Sequence, residues 1–319
     1  MVVLSQEDRV RTRFALLTIM VFATLFAAGC GKKEKVDPAV LYSSQDQIFG
    51  EELLKNFTRT TGIDVKALYD TESAKTAGLA HRLTYERNYP ECDVFWSNEE
   101  LYARNLARHG LLETNKMASF GYRTRRMVIN TKKLSYTNAP KSLLELTNET
   151  WRGKVVIAYP LFGTTSAHFL ALRQLWGEQL WKQWCHGLVR NSTKVVDGNS
   201  VVVRLVGAGE AWVGLTDWDD INAGKKQGFP ITELPLSREF IAIANTVGIV
   251  QGAPHPAEAE LLRDYLVKPE TVQKLVTLGA LEGTNSASLG TNILRMDWSE
   301  SLPEMEDAAN FLKIIFVRS

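Results

Sequence analysis

The sequence predicts an α/β protein built on a parallel sheet, and three observations support this fold class. Short apolar runs at residues 40–42, 63–69 and 93–96 have the length of buried strands. Each run is followed by polar residues that cap helices, and then by a helical pattern. The same alternation restarts at residues 154–159. Strands and helices that alternate in this way form parallel sheets with helices on both faces.

The first half of the chain contributes three strand–helix units and one further strand. The first predicted helix carries Leu53, Leu54 and Phe57 on one face and stops at Gly62. Residues 126–130 form the next predicted strand, after which a second domain begins. The carboxyl ends of the strands carry the first candidate ligand-binding residues, which are Ser43, Ser44, Glu72, Ser97, Asn98 and Glu99.

The second half repeats the pattern with strands at 154–159, 194–196 and 212–217 and a long apolar run at 240–250. Trp176, Leu180 and Trp184 recur every four residues, so we interpret all three as core positions of one helix. Helices are predicted near 219–227, 257–266, 270–278 and 303–316. The candidate binding residues of this half are Thr164, Thr165, Asn199, Ser200, Asp217, Trp218 and Asp219.

The segment 212–220 is the most distinctive of these strand ends. A buried apolar strand ends there in Thr216, Asp217, Trp218, Asp219 and Asp220. Taken alone, this pattern fits a catalytic carboxylate pair, a metal site or a pocket for a cation. Asp217 follows the strand directly and is the strongest candidate for ligand contact. One of the two later aspartates is expected to cap the following helix.

The N-terminus has the order of an export signal. Arg9, Arg11 and Arg13 precede an uncharged stretch at 14–28, which is too short to span a bilayer. Ala27, Ala28 and Gly29 then precede Cys30, an arrangement that resembles the lipobox of bacterial lipoproteins. We expect a signal peptide at 1–29, lipidation of Cys30 and a polar tether at 30–38; a signal without lipidation and an uncleaved anchor are the alternatives.

Composition and charge exclude several classes of function. The 319 residues are 45% hydrophobic and 23% charged, as in soluble globular proteins, and the formal net charge is +1. Removal of residues 1–29 leaves 34 basic and 34 acidic residues, which argues against a nucleic-acid surface. Cys92 and Cys185 are too few for a disulfide scaffold and are expected to be buried and unbridged.

Catalysis is a further alternative, because paired carboxylates serve as acid and base in glycosidases. No nucleophile elbow, zinc-binding histidine pair, phosphate loop or dinucleotide fingerprint occurs in the sequence. We therefore expect no enzymatic activity and no resident cofactor.

Several segments together resemble the periplasmic ferric-iron-type solute-binding proteins of ABC importers. They span nearly all of the chain after the signal and are VLYSS at 40–44, TGIDV at 61–65, CDVFWSNE at 92–99, HGLLE at 109–113, VDGNS at 196–200, VGLTD at 213–217 and GAPHP at 252–256. The resemblance implies a type II periplasmic-binding-protein fold, with lobe one at 39–128 and 245–319 and lobe two at 129–244. Two crossover strands, near 126–130 and 241–250, would join the lobes and act as the hinge.

The resemblance also implies a monomer at the periplasmic face of a membrane, anchored through Cys30, which delivers its ligand to an ABC permease and its ATPase. One departure affects the ligand. Family members that hold ferric iron directly use two adjacent tyrosines where this chain has residues 216–220, and no adjacent tyrosine pair occurs here. Asp217, Asp219 and Tyr42 are the alternative oxygen donors for a metal.

Two ligand classes stay open at this point. Helix N-termini and capping hydroxyls favour an oxyanion, whereas carboxylates favour a cation. Ferric iron with a synergistic anion satisfies both preferences, and so does a zwitterion such as an aminoalkyl phosphonate.

Overall fold

A computed structural model describes residues 37–70 and 76–317. Its strands are β1 (Ala39–Ser43), β2 (Val65–Tyr69), β3 (Val94–Ser97), β4 (Ala118–Asn130), β5 (Val155–Ala158), β6 (Lys194–Val196), β7 (Val213–Asp217), β8 (Ile231–Glu233) and β9 (Ala242–Ile249). Its α-helices are α1 (Gln47–Thr61), α2 (Ala77–Tyr85), α3 (Leu101–Arg108), α4 (Gly163–Trp176), α5 (Glu178–Arg190), α6 (Asn199–Ala208), α7 (Trp218–Lys226), α8 (Pro256–Val267), α9 (Pro269–Leu278), α10 (Trp298–Ser301) and α11 (Met305–Val317). The predicted signal peptide, most of the tether, Cys30 and Glu72 lie outside the described residues.

The strands form one mixed sheet in the order β2-β1-β3-β9-β4-β7-β5-β6, with β8 paired to β4. β1, β2 and β3 run parallel, and we call them the first sheet half. β5, β6 and β7 are also parallel and form the second sheet half. The predicted α/β class is confirmed, but the sheet is not wholly parallel, because β9 and β4 run antiparallel to their neighbours at its centre.

β4 takes part in both halves of the sheet. Its first residues pair with β9, whereas residues from Arg125 onward pair with β7. The pairing with β9 shifts register between Phe120 and Arg123, and Gly121 between them has a φ of 57°. A side chain at Gly121 would also crowd Leu281, and the positive φ favours glycine at this bulge.

Sequence reasoning located both central strands but began β4 too late. The strand starts at Ala118, not near residue 126, because its middle carries polar and charged residues that interrupt the apolar pattern. The lobe boundaries that the sequence suggests stay a prediction.

Helices cover both faces of each half. In the first half, Leu53 and Phe57 of α1 pack with Val247 and Ile249 of β9, while α2 and α3 cover the opposite face. In the second half, α6 and α7 pack on one face through valines and Ile221. The other face is covered by α4 and α5.

The C-terminal segment packs on the second half of the sheet. Trp298, Leu302, Leu312 and Phe316 share a core with residues of α4 and α5 such as Phe169. Nothing in the local pattern of a C-terminal amphipathic helix shows which half it will cover.

One core prediction was wrong in part. Trp184 is buried and Trp176 packs edge-to-face against it, with ring centroids 5.2 Å apart. Leu180, however, is 39% exposed. Gly177 ends α4 and α5 starts at Glu178, so the spacing of four crossed a break between two helices. Cys92 and Cys185 are buried and unbridged, as expected.

No helix within residues 37–70 and 76–317 has the length and apolar character to cross a membrane.

Candidate ligand-binding site

Polar residues from both sheet halves meet in one pocket at the carboxyl ends of the strands. Of the predicted binding residues, six line it: Asn98, Thr164, Thr165, Asn199, Asp217 and Asp219. Asn98 follows β3, Thr164 and Thr165 begin α4, and Asn199 begins α6. Strand ends at one edge of a sheet bring such residues together, as the sequence predicted.

Asp217 is the centre of a buried hydrogen-bond network. Its Oδ1 accepts a bond of 2.9 Å from Arg125 Nη1, and its Oδ2 accepts bonds from Thr164 Oγ1 at 2.6 Å and Asn199 Nδ2 at 3.1 Å. Arg123 Nε lies 3.5 Å from the same Oδ2. Asp217 is only 2% exposed, so the protein itself already satisfies most of its acceptor capacity.

Arg123 and Arg125 are site residues that sequence reasoning missed. They are 2% and 0% exposed and lie two positions apart on β4, which puts both side chains on one face of the strand. Arg126 points the other way and pairs with Glu282 at 2.6 Å. The sequence signal for them was an Arg-Thr-Arg alternation inside an apolar strand. Their pairing with Asp217, however, depends on the antiparallel register of β4 with β7, which the local sequence does not reveal.

The two arginines keep Asp217 ionised. Burial alone raises the pKa of an aspartate, but the charges of Arg125 and Arg123 outweigh it and hold the pKa of Asp217 below its ordinary value. Arg123 is likewise desolvated, yet Asp219 and Asp217 keep it charged. Buried ion pairs between these two arginines and the aspartates therefore lie at the pocket.

A group of three carboxylates lies beside these pairs. One oxygen from each of Asp217, Asp219 and Asp220 falls within 4.8 Å of the others. Asp219 and Asp220 lie in the first turn of α7, where acidic residues are stabilised by the helix dipole. Asp46 and Tyr159 also line the pocket.

Four predicted residues near the first sheet half do not line the pocket and instead make hydrogen bonds within the neighbouring loops and at the start of a helix. Ser44 Oγ accepts a bond from the Asn98 amide at 2.9 Å, and Ser43 Oγ accepts one from the Gln45 amide. Ser97 bonds Glu99, whose carboxylate accepts bonds from Leu101 N and Tyr102 N at the start of α3. Capping or turn roles are therefore filled by Ser43, Ser44, Ser97 and Glu99.

Three further predicted residues do not line the described pocket. Tyr42 is buried and its hydroxyl donates to Glu86 at 3.0 Å, and burial together with Glu86 raises its pKa well above the ordinary value. This arrangement does not fit the predicted metal-ligand role. Ser200 is exposed on α6, and Trp218 is half-buried at the start of α7.

Comparison with known proteins identifies the fold and the family. The model of the bacterial extracellular solute-binding protein family matches residues 43–279. The Fe(3+)-binding periplasmic protein of Serratia marcescens is 27% identical over 300 residues, which cover 85% of this chain and 87% of that protein.

Two solved structures have the same fold. Iron-bound HitA from Pseudomonas aeruginosa superposes with a TM-score of 0.78 at 20% identity, covering 88% of this chain and 99% of that one. AfuA from Actinobacillus pleuropneumoniae, with fructose-6-phosphate bound, gives 0.77 at 18% identity over 89% and 99% of the two chains. The fold is that of a periplasmic binding protein, and the chain belongs to the family of bacterial extracellular solute-binding proteins.

Proposed function

We propose that this solute-binding protein captures ferric iron together with a small anion. The observation that carries the proposal is the oxygen-rich lining of the pocket, where Asp217, Asp219 and Asp220 converge. Five aspartates and one arginine line it, so the charge excess is negative and favours a cation. Carboxylate oxygens are hard donors that suit hard cations. The name of the Serratia marcescens relative supports the same cargo.

The anion would bind to the positive groups of the same pocket. Arg123 lines the pocket, and the N-termini of α4 and α6 are directed to it through Thr164, Thr165 and Asn199. Helix N-termini and guanidinium groups both attract oxyanions. A metal held by carboxylates on one side and by an anion on the other needs no tyrosine pair.

Calorimetry on the metal-free protein tests this proposal. Ferric citrate, and ferric iron with carbonate, should bind with a stoichiometry of one, and citrate alone should bind far more weakly. Asp219→Asn should weaken ferric citrate binding about tenfold or more, which corresponds to about 1.4 kcal/mol. Absence of heat and of any shift in melting temperature with both iron forms would rule out iron as the cargo.

A zwitterionic organic solute is the second candidate, because Arg123 and the carboxylates occupy one pocket. In an aminoalkyl phosphonate, the phosphonate would contact Arg123 and the helix N-termini, and the amine would contact Asp219. Aminoethyl phosphonate and fructose 6-phosphate belong in the same calorimetric series. Binding of the phosphonate without iron would replace the first proposal, and binding of the sugar phosphate alone would indicate a purely anionic ligand.

The protein would act as a monomeric lipoprotein that is exported, anchored through Cys30 and delivers its ligand to an ABC permease. Support comes from the signal-like N-terminus and from the family itself. Cys30→Ala should move the protein from the membrane fraction to the soluble fraction of cells. Continued membrane association of this variant would contradict the anchor.

A further inference from the structure

We propose that Arg123, Asn245 and Gln45 form a hydrogen-bonded relay that transmits the state of the ligand pocket to the loop between β1 and α1. Arg123 is the positioning residue at the pocket end of this relay. The inference rests on the proposed function only for the experiment with ferric citrate, since the contacts of the relay join protein side chains alone.

The contacts run without a break from β4 to the loop that follows β1. Arg123 Nη1 donates to Asn245 Oδ1 at 3.4 Å, and Asn245 Nδ2 donates to Gln45 Oε1 at 2.9 Å. Arg123 belongs to β4, Asn245 to the neighbouring central strand β9, and Gln45 to the loop that follows β1. The relay therefore runs across the two central strands of the sheet.

All three side chains are shielded from water. Gln45 is 3% exposed, Asn245 is 0% exposed and Arg123 is 2% exposed. A buried amide that loses its hydrogen-bond partner cannot bond to solvent instead. Displacement of Arg123 therefore has a free-energy cost that reaches Gln45 through Asn245. Exposed polar side chains would replace a lost partner with water.

Arg123 is held loosely at the pocket end. Its Nε lies 3.5 Å from Asp217 Oδ2 and 3.4 Å from Asp219 Oδ1, and within residues 37–70 and 76–317 this Nε has no hydrogen-bond partner. Charge-assisted bonds between guanidinium and carboxylate are normally about 2.7–2.9 Å long. Arg125, by contrast, bonds Asp217 at 2.9 Å. Arg123 Nε is thus shared between two carboxylates, at longer distances than the Arg125–Asp217 pair.

Ligand would shift this balance whichever class it belongs to. A cation at Asp219 withdraws that carboxylate from Arg123, whereas an oxyanion draws the guanidinium toward itself. Either change acts on the bond to Asn245 and, through it, on Gln45. The next residue, Asp46, lines the pocket from the first half, so the relay couples both walls of the site.

Hydrogen exchange of the ligand-free protein tests the relay independently of cargo. Asn245→Ala and Arg123→Lys should each speed amide exchange in the segment 43–50 about fivefold, the effect expected from the loss of one hydrogen bond. Arg126→Lys is the matched control, because Arg126 lies on the same strand but pairs with Glu282 on its opposite side. Exchange equal to wild type in both test variants, with their melting temperatures retained, would overturn the relay.

A double-mutant cycle supplies the second measurement. Gln45→Ala and Asn245→Ala should each raise the dissociation rate of ferric citrate, and the double variant should be no worse than the stronger single variant. Strictly additive effects would contradict the relay. If wild-type protein does not bind ferric citrate, the iron proposal fails, while the exchange experiment still decides the relay.

Discussion

At the scale of single residues, Asp217 differs from an ordinary exposed ligand donor. Its carboxylate accepts hydrogen bonds from Arg125, Thr164 and Asn199. Because these partners come from β4, α4 and α6, the residue fixes the relative positions of three elements around the pocket. We therefore expect its loss to affect both stability and binding.

Asp217→Asn keeps the size of the side chain but leaves Arg125 buried without its counter-charge. Breaking a buried pair in this way costs about 3–5 kcal/mol of unfolding free energy, and ferric citrate binding should weaken about tenfold or more. Urea denaturation and calorimetry measure the two effects. Asp197→Asn is the control, since Asp197 is exposed in the same pocket. An equal loss in both variants would mean that Asp217 acts only through general charge.

The convergence of polar residues on one pocket was predictable from the sequence wherever they belong to a polar segment between a strand and the next helix. Asp217 ends β7, and Thr164 and Asn199 lie at the starts of the helices that follow β5 and β6. Arg123 and Arg125 were not found, because their roles depend on which strand lies beside β4 and in which register. Tyr42 does not line the described pocket, and the strand-end pattern does not reveal that Glu86, far along the chain, accepts a hydrogen bond from its hydroxyl.

At the scale of elements, α3 begins with an unusual cap. Glu99 is fully buried, and its carboxylate accepts bonds from the amides of Leu101 and Tyr102. The same helix reaches the second half of the chain through Tyr102, whose hydroxyl donates to the Leu161 carbonyl at 3.0 Å. Leu161 precedes the pocket residues Phe162 and Gly163, so the helix cap is coupled to the pocket wall.

Glu99 should make stability depend on pH near neutrality. Burial raises its pKa from 4.5 to about 7, so between these values the folded protein binds a proton that the unfolded chain does not. Stability from this group is complete below pH 4.5 and is lost as pH rises through 7, a change of roughly 3 kcal/mol. Glu99→Gln should remove this pH dependence. In urea denaturation, the free energy of unfolding of the variant relative to wild type should therefore be higher at pH 8 than at pH 4.5. A constant difference across that range would contradict the raised pKa.

Element types were largely predictable because the apolar spacing and the glycine stops are local signals. Gly62 ends α1 with a φ of 75°, as its position suggested. The boundary between α4 and α5 was missed, because Gly177 falls inside an otherwise continuous helical spacing. β8 was also missed, since three residues of mixed polarity carry too little pattern.

At the scale of the whole molecule, the C-terminal helix is part of the core and not an appendage. Phe316 is 3% exposed and meets Phe169 edge-to-face, with ring centroids 6.1 Å apart. Arg173 of α4 is ion-paired with Glu304 and Asp307 at the start of this region. The second half of the sheet therefore depends on residues that come last in the chain.

Phe316→Ala should lower the free energy of unfolding by about 3–5 kcal/mol, the usual cost of removing a buried aromatic ring. Ile314→Ala on the same helix is the control, because Ile314 is 55% exposed and should cost far less. Urea denaturation gives both values. Similar small losses of unfolding free energy in the two variants would show that α11 does not contribute to the core.

The central position of β9 also governs the order in which the chain can fold during synthesis. β3 emerges from the ribosome long before β9, its neighbour in the sheet, and α4 emerges long before the helix that covers Phe169. Contacts between such distant segments form slowly, and exposed strand edges invite wrong pairing until they form. A nascent chain with this topology cannot complete its central sheet until β9 has been synthesised.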